Sequence, residues 1–434
     1  MHIPKGKSQS GATNAAQYTR TLRRAEFVLR THRRQVQFAD DARARTGPDE
    51  GYTRSAAPKV RGRTPRIIPP ALVDGMVMRD LRCGVWISVL FATVASWYVT
   101  TAHAEPAEIQ RNITFPGYSP LATTTQLFSR MMSPLWEAMA IAAYADKGQQ
   151  PPNYTVDMEQ ERFSLYVPST PAPEKGYGLL VFIPPWSNAA VPRKWKSLLE
   201  ETGTVFVTAA NSGNDQSQIP RRMALALHGY ANVVARYKID PERVYVGGFS
   251  GGSRVALRVA IGYPDVFRGA ILDAGSDSIG SFLLPLPAPD LLNLAQEHTR
   301  LIFLYGSVDD ENAKRARYTM ESARDWCFPE TAKIAMIDRA HELADPVTML
   351  RALRLQEPAH QPIADLEQCR ARVDAEAATA VEAVQKQISS GAQGATKALA
   401  ELDARYAHFL AADVMRLSGE LKSRERKSGE PRQQ

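Results

Sequence analysis

The sequence predicts an α/β fold, a mostly parallel sheet with flanking helices, followed by a C-terminal helical hairpin. Three features of the 434-residue chain point there. Short apolar runs alternate with helical stretches from about residue 160 to 350. One of those runs passes through a glycine-rich turn straight into a helix. Beyond Pro362 the strand signal stops, and an Ala/Glu/Lys/Arg-rich region begins.

Composition and charge narrow the class. Hydrophobic residues make up 44% and charged residues 23%, which excludes a collagenous, fully disordered or multi-span membrane chain. The net charge of +7 is unevenly spread. Residues 1–82 hold 17 Lys/Arg against 7 Asp/Glu, a net of +10, so residues 83–434 carry −3. A mildly acidic body argues against a nucleic-acid partner.

The elements follow in chain order. From Cys83 to Ala102 there is no charged residue. Arg79 and Arg82 precede this run, and Ala102-His103-Ala104 follows it. That pattern reads as a secretory signal peptide over 76–104. Met76 or Met78 would start it correctly, so residues 1–75 are expected to be a disordered, non-native extension. Residues 105–434 would then be periplasmic or secreted, with no membrane contact after cleavage. The alternative is an anchor over 83–102, about the length of one spanning helix.

Next comes a helical lead-in over 124–144, broken near Pro134. Strands are expected at 162–167, 178–183, 204–208, 243–246, 269–272, 300–305 and 333–337. The run GLLVFI at 178–183 is apolar throughout, as a strand buried on both faces should be. Helices are expected at 221–237 and 253–262. Residues 105–362 thus form the α/β domain. Over 363–424, Leu399, Leu402, Tyr406, Leu410, Val414 and Leu417 recur at three- and four-residue steps, one apolar helix face. SSGAQG at 389–394 is the turn between two helices, and residues 425–434 are expected to be disordered. The hairpin either covers its own domain or grips a protein partner.

The chemistry-bearing stretch is RVYVGGFSGGSRVALRVAIGYP, residues 243–264. It places G-x-S-x-G, Gly248 to Gly252, between a strand and a helix. A sharp turn there strains Ser250 and exposes its hydroxyl at a helix N-terminus, beside unpaired N–H groups. GGFSGG lacks the G-x-G-x-x-G order, so no dinucleotide cofactor is expected.

A nucleophilic serine needs a base and an orienting acid. Of eight histidines, His2, His32 and His103 precede the exported part. His228 and His408 fall in helices, His298 before a strand, and His360 in a linker between prolines. His341 alone follows the last strand, where open α/β sheets place their sites. His341-Glu342 is no metal motif, since Asp stands at 345, and no metal is expected. After the strand at 300–305, Asp309 is the first choice of acid and Asp310 the backup.

Residues 160–350 resemble the α/β-hydrolase superfamily, and within it secreted esterases of the polyhydroxybutyrate-depolymerase and feruloyl-esterase type. The resemblance rests on IDPERVYVGGFSGGSRVA (239–256), YPDVFRGAI (263–271), the Asp after LIFLYG and the His-Glu after the last strand. It implies an α/β-hydrolase sheet, Ser250 as nucleophile, His341 as base, Asp309 as acid and the Gly251 N–H as first oxyanion donor. Many such esterases carry His-Gly after the early strand. This chain has IPPWSN at 183–188, and prolines lack the N–H, so Trp186 or Ser187 must donate. Residues 210–215 are expected to form a rim loop. The expected substrate is a small-molecule or polymeric ester. The alternatives are a serine peptidase on the same fold, or a non-catalytic scaffold that binds through the hairpin.

Signal cleavage would leave two cysteines, Cys327 and Cys369. Export makes them one disulfide, tying the hairpin to the core; two buried thiols are the alternative.

Overall fold

The computed structural model describes residues 108–429, apart from 217, 330 and 358–361. The expectations for 1–75, 76–104, His360 and 430–434 lie outside the described residues. Among those described, no helix is long and apolar enough to cross a membrane.

Eight strands form one sheet in the order β1-β2-β4-β3-β5-β6-β7-β8. They are β1 (Gln110–Ile113), β2 (Phe163–Tyr166), β3 (Tyr177–Ile183), β4 (Thr204–Ala209), β5 (Ile239–Phe249), β6 (Gly269–Asp273), β7 (Arg300–Gly306) and β8 (Ala332–Met336). β1 and β2 pair antiparallel, and β2 pairs antiparallel with β4; from β4 to β8 every pairing is parallel. Strands β3, β4 and β6 are buried along their whole length. Their continuous apolar runs resolve into two faces. Leu179, Val181 and Ile183 join the core on one side, while Leu180 and Phe182 join the core on the other.

Helices α4 (Ile219–Val234), α5 (Gly251–Gly262), α6 (Pro289–His298) and α7 (Asp310–Asp325) line the first face. Helices α3 (Lys196–Glu201) and α8 (Pro346–Gln356) line the second. This is the α/β-hydrolase arrangement, with helices on both faces of a mostly parallel sheet and the strand–turn–helix bend at its centre.

The lead-in is two helices, α1 (Thr124–Met131) and α2 (Pro134–Ala145). Met132 and Ser133 are extended, and Pro134 takes the first position of α2, as its fixed φ and missing N–H allow.

The C-terminal region is the expected helical hairpin, with its second arm broken into two helices. It comprises α9 (Leu366–Ser389), α10 (Ala395–Tyr406), a short 3-10 turn Ala407–Leu410, and α11 (Ala411–Gly429). The turn at 389–394 is present, but the second helix breaks at Ala407, whose φ is +43°. The apolar spacing runs unchanged through this break, so periodicity could not show it. No glycine or proline marks it either. Residues 425–429, expected to be disordered, continue α11. Leu399, Leu402, Tyr406, Val414 and Leu417 are buried in the core of the α/β domain, so the stripe covers its own body. Asp403 pins α10 to the start of α2, accepting from the Ser133 hydroxyl and from the Leu135 N–H at 3.1 Å.

Cys327 and Cys369 are bonded, joining the end of α7 to α9 across 42 residues of chain. In the chain-entropy account, closing a loop of that size stabilises by about 4 kcal/mol. Replacing both cysteines by serine is expected to lower the guanidinium midpoint by that amount of stability. An unchanged midpoint would show that the bond contributes nothing.

Candidate active site

The bend between β5 and α5 is built by close approach. Ser250 has φ +54° and ψ −124°, a conformation that costs a non-glycine residue free energy. Its N–H donates to the Asp273 carbonyl at 2.7 Å, which fixes the turn to the end of β6. The end of β3 runs parallel directly beside it. A Cβ on Gly252 would stand 2.0 Å from the Ile183 oxygen, and one on Gly248 2.7 Å from the same atom. Gly251 has a different reason. Its Cβ would meet only a side chain, the Asn214 Oδ1, at 2.1 Å.

Three of the residues singled out in the sequence come together at this bend. His341 Nε2 lies 2.8 Å from Ser250 Oγ, and His341 Nδ1 lies 2.9 Å from Asp309 Oδ2. A carboxylate only accepts, so Nδ1 carries the proton and Nε2 is left to accept from the serine hydroxyl. The Phe249 ring stacks on the imidazole, with centroids 4.9 Å apart. The His341 side chain is 45% exposed, so the site is open to solvent.

Asp309 caps α7 and accepts from the Asn312 N–H at 3.3 Å and the Asn312 Nδ2 at 2.8 Å. Burial raises its pKa, but the hydrogen bonds from His341 and Asn312 outweigh that and hold the carboxyl below its ordinary value. The Asn312 Nδ2 is also 3.1 Å from His341 Nδ1. Both atoms are donors in this tautomer, so that proximity is no bond and both serve Asp309. Asp310, the backup acid, is exposed and begins α7; the carboxylate facing His341 belongs to Asp309.

The two expected oxyanion donors, Gly251 and Trp186, lie on separate segments. The Gly251 N–H opens α5 and has no partner within the helix. Opposite it runs the 184–188 segment with Trp186, whose ring is 6.2 Å from that of Phe249. The rim loop 210–215 clasps this segment: the Asn211 N–H donates to the Ser187 carbonyl at 2.6 Å, and the Asn214 N–H to the Pro185 carbonyl at 2.9 Å. Buried Arg222 ties both, donating to Ser212 O at 2.7 Å and to Pro184 O at 3.1 Å. Burial pulls its pKa down to about 10, which leaves it charged at neutral pH. Nothing in the spacing of Arg222 marked it, since it contacts Pro184 only through the fold; Asn312 bonds Asp309 three residues away, a helix-start pattern that the sequence carried.

The other histidines have structural settings. His228 is fully buried, and its Nδ1 accepts from the Ser119 N–H at 2.9 Å. Burial lowers its pKa to about 4, so it stays neutral. His408 lies in the 3-10 turn between α10 and α11, and burial lowers its pKa as well.

No protein-family profile and no curated protein matches the chain. Solved structures of similar fold include a puromycin-hydrolysing peptidase of Mycobacterium tuberculosis, 17% identical over 44% of this chain and 36% of that one, with a TM-score of 0.33. A thermophilic esterase, Est2, of Thermogutta terrifontis is 16% identical over 45% of this chain and 85% of its own, with a TM-score of 0.34. Est1E of Butyrivibrio proteoclasticus is 14% identical over 46% and 95%, with the same score. The chain spans only about a third of the peptidase's length.

Gly252→Ala should destabilise the protein by roughly 1–3 kcal/mol or more, because its obstacle is backbone. Gly251→Ala should also destabilise, but Asn214→Ala in the same chain should relieve it. Urea midpoints of the two single variants and both double variants with Asn214→Ala check this. Relief of Gly252→Ala by Asn214→Ala would contradict the packing described.

Proposed function

We propose that the chain is an exported serine hydrolase that cleaves a carboxylic ester through an acyl-enzyme. The observation that carries this reading is the continuous relay from Ser250 Oγ through His341 to Asp309, at 2.8 and 2.9 Å. Its chain order, serine then aspartate then histidine, is that of α/β-hydrolase triads.

In this mechanism His341 Nε2 takes the proton of Ser250 as Oγ bonds to the ester carbonyl carbon. The Gly251 N–H steadies the developing oxyanion, and the Trp186 N–H, the first donor after the two prolines, is assigned as the second. Asp309 holds the imidazole in the right tautomer and balances the imidazolium. His341 then gives its proton to the departing alcohol. A water, deprotonated by His341, attacks the acyl-enzyme, and the acid leaves as Ser250 recovers its proton.

Export is supported by the charge-free run 83–102 with its A-x-A site, and by the cystine, which suits an oxidising compartment. The substrate is assigned as an ester rather than a peptide on the sequence resemblance.

Ser250→Ala is expected to abolish turnover of p-nitrophenyl acetate and butyrate by residues 105–434. What remains should be at most about 10³–10⁴-fold over the uncatalysed rate. Asp309→Asn should cost about 10⁴-fold in kcat with the fold intact. Undiminished turnover in Ser250→Ala would rule out the assignment. Peptide p-nitroanilides cleaved faster than esters would move the reading to a peptidase.

A further inference from the structure

We infer that Asp273 is a positioning residue for the proposed triad, tying the segment that carries His341 to the strand end that holds Ser250. This rests on the serine-hydrolase reading for its effect on rate, and on geometry alone for the tie. Asp273 ends β6 and is 0% exposed. Its carbonyl accepts from the Ser250 N–H at 2.7 Å, while its side-chain Oδ2 accepts from the Ala344 N–H at 2.8 Å. One residue thus touches both sides of the relay. Its other carboxyl oxygen, Oδ1, is buried with no hydrogen-bond partner among the described residues.

A buried carboxyl without full pairing is costly, and an apolar side chain would fill the site at less expense. What an apolar side chain could not do is accept from Ala344. That residue is itself fully buried, so its N–H needs a protein acceptor. The need is functional because residues 337–345 form no helix or strand. The exposed imidazole of His341 packs on Phe249 on one side, so its place depends on how its backbone is anchored. Before the histidine, the Val308 N–H donates to Arg339 O at 3.0 Å and Ser307 Oγ accepts from the Asp338 N–H at 2.9 Å. After it, three groups hold the backbone. Lys194 Nζ donates to Leu343 O at 2.9 Å, Trp195 Nε1 donates to Ala344 O at 3.0 Å, and Asp273 accepts from Ala344.

The charged groups around Asp273 are few. Burial is the main influence on it, opposed by the Ala344 N–H and by Lys194 and reinforced by Asp345, which caps α8. The result pushes the carboxyl up to about 8, so it is neutral at pH 7. The sign for stability follows. Between about pH 4 and pH 8 the unfolded chain loses this proton and the folded chain keeps it. Stability therefore falls as pH rises through that window, and the penalty is complete above it.

Asn keeps an acceptor for Ala344 and cannot ionise; Leu removes the acceptor at similar volume. In the exported part, residues 105–434, Asp273→Asn should keep kcat within about twofold at pH 7. Asp273→Leu should lower kcat roughly 10- to 100-fold with KM nearly unchanged, the size of loss that a small misplacement causes. Independently of activity, the stability of Asp273→Asn relative to wild type should grow from pH 4 to pH 8. That comparison also serves if the Leu variant does not fold or wild type turns over no ester. Wild-type kcat in Asp273→Leu would overturn the inference, as would a stability difference that is flat with pH. Loss of all ester turnover in wild type, with the pH-dependent difference still present, would strike the hydrolase reading and leave the tie standing.

Discussion

Everything at the site follows from one hydrogen bond and the bend it holds. The Ser250 N–H points back at the Asp273 carbonyl, and this keeps a serine at positive φ where an unrestrained chain would not. With the backbone so turned, the hydroxyl leaves the sheet, α5 begins at once, and its first N–H groups face the same side as Oγ. The neighbouring glycines let β3 and the Asn214 side chain come close enough to close the cradle. The strained residue is over-determined by a fully buried sheet on both sides, which is how such strain persists.

The parallel sheet does the rest by register. β5, β6 and β7 pair in consecutive parallel registers, with β5 and β6 ending level and β7 two residues further, so whatever follows each strand is delivered to one edge. Ser250, Asp273 and Asp309 stand at three of those ends, and His341 enters from beyond β8. The groups are distant in sequence, yet none needs a long reach. Rigidity comes from strands; Asp309 follows its strand by a short turn, and the histidine arrives on the longest irregular segment of the three. That segment is anchored by Ser307 and Val308 before the histidine and by Lys194, Trp195 and Asp273 after it.

Much of this was legible in the residues. The apolar runs gave the strands, since each strand between two helix layers must be apolar on both faces. The GGFSGG turn gave the bend, because only glycines pass another backbone so closely. Elimination gave His341, because a base must stand at a strand end. What stayed hidden has a common cause. Arg222, Asn214 and Asp273 act through partners that the fold brings near, and a lone Arg, Asn or Asp leaves no local pattern. The segment 210–215 was expected as a rim loop, but its hydrogen bonds from Asn211 and Asn214 to the segment after β3 were not legible. The break at Ala407 was invisible because its residues keep the spacing of an unbroken helix. β1 is four residues long and largely exposed, too short and polar to stand out.

The most direct measurement is covalent. Folded residues 105–434 treated with a fluorophosphonate and digested should show one modified peptide, with the adduct on Ser250, and prior unfolding should prevent it. An adduct on another residue, or none on the folded protein, would mean that this oxygen is not activated. The relay at the bend would then be an arrangement of ordinary side chains.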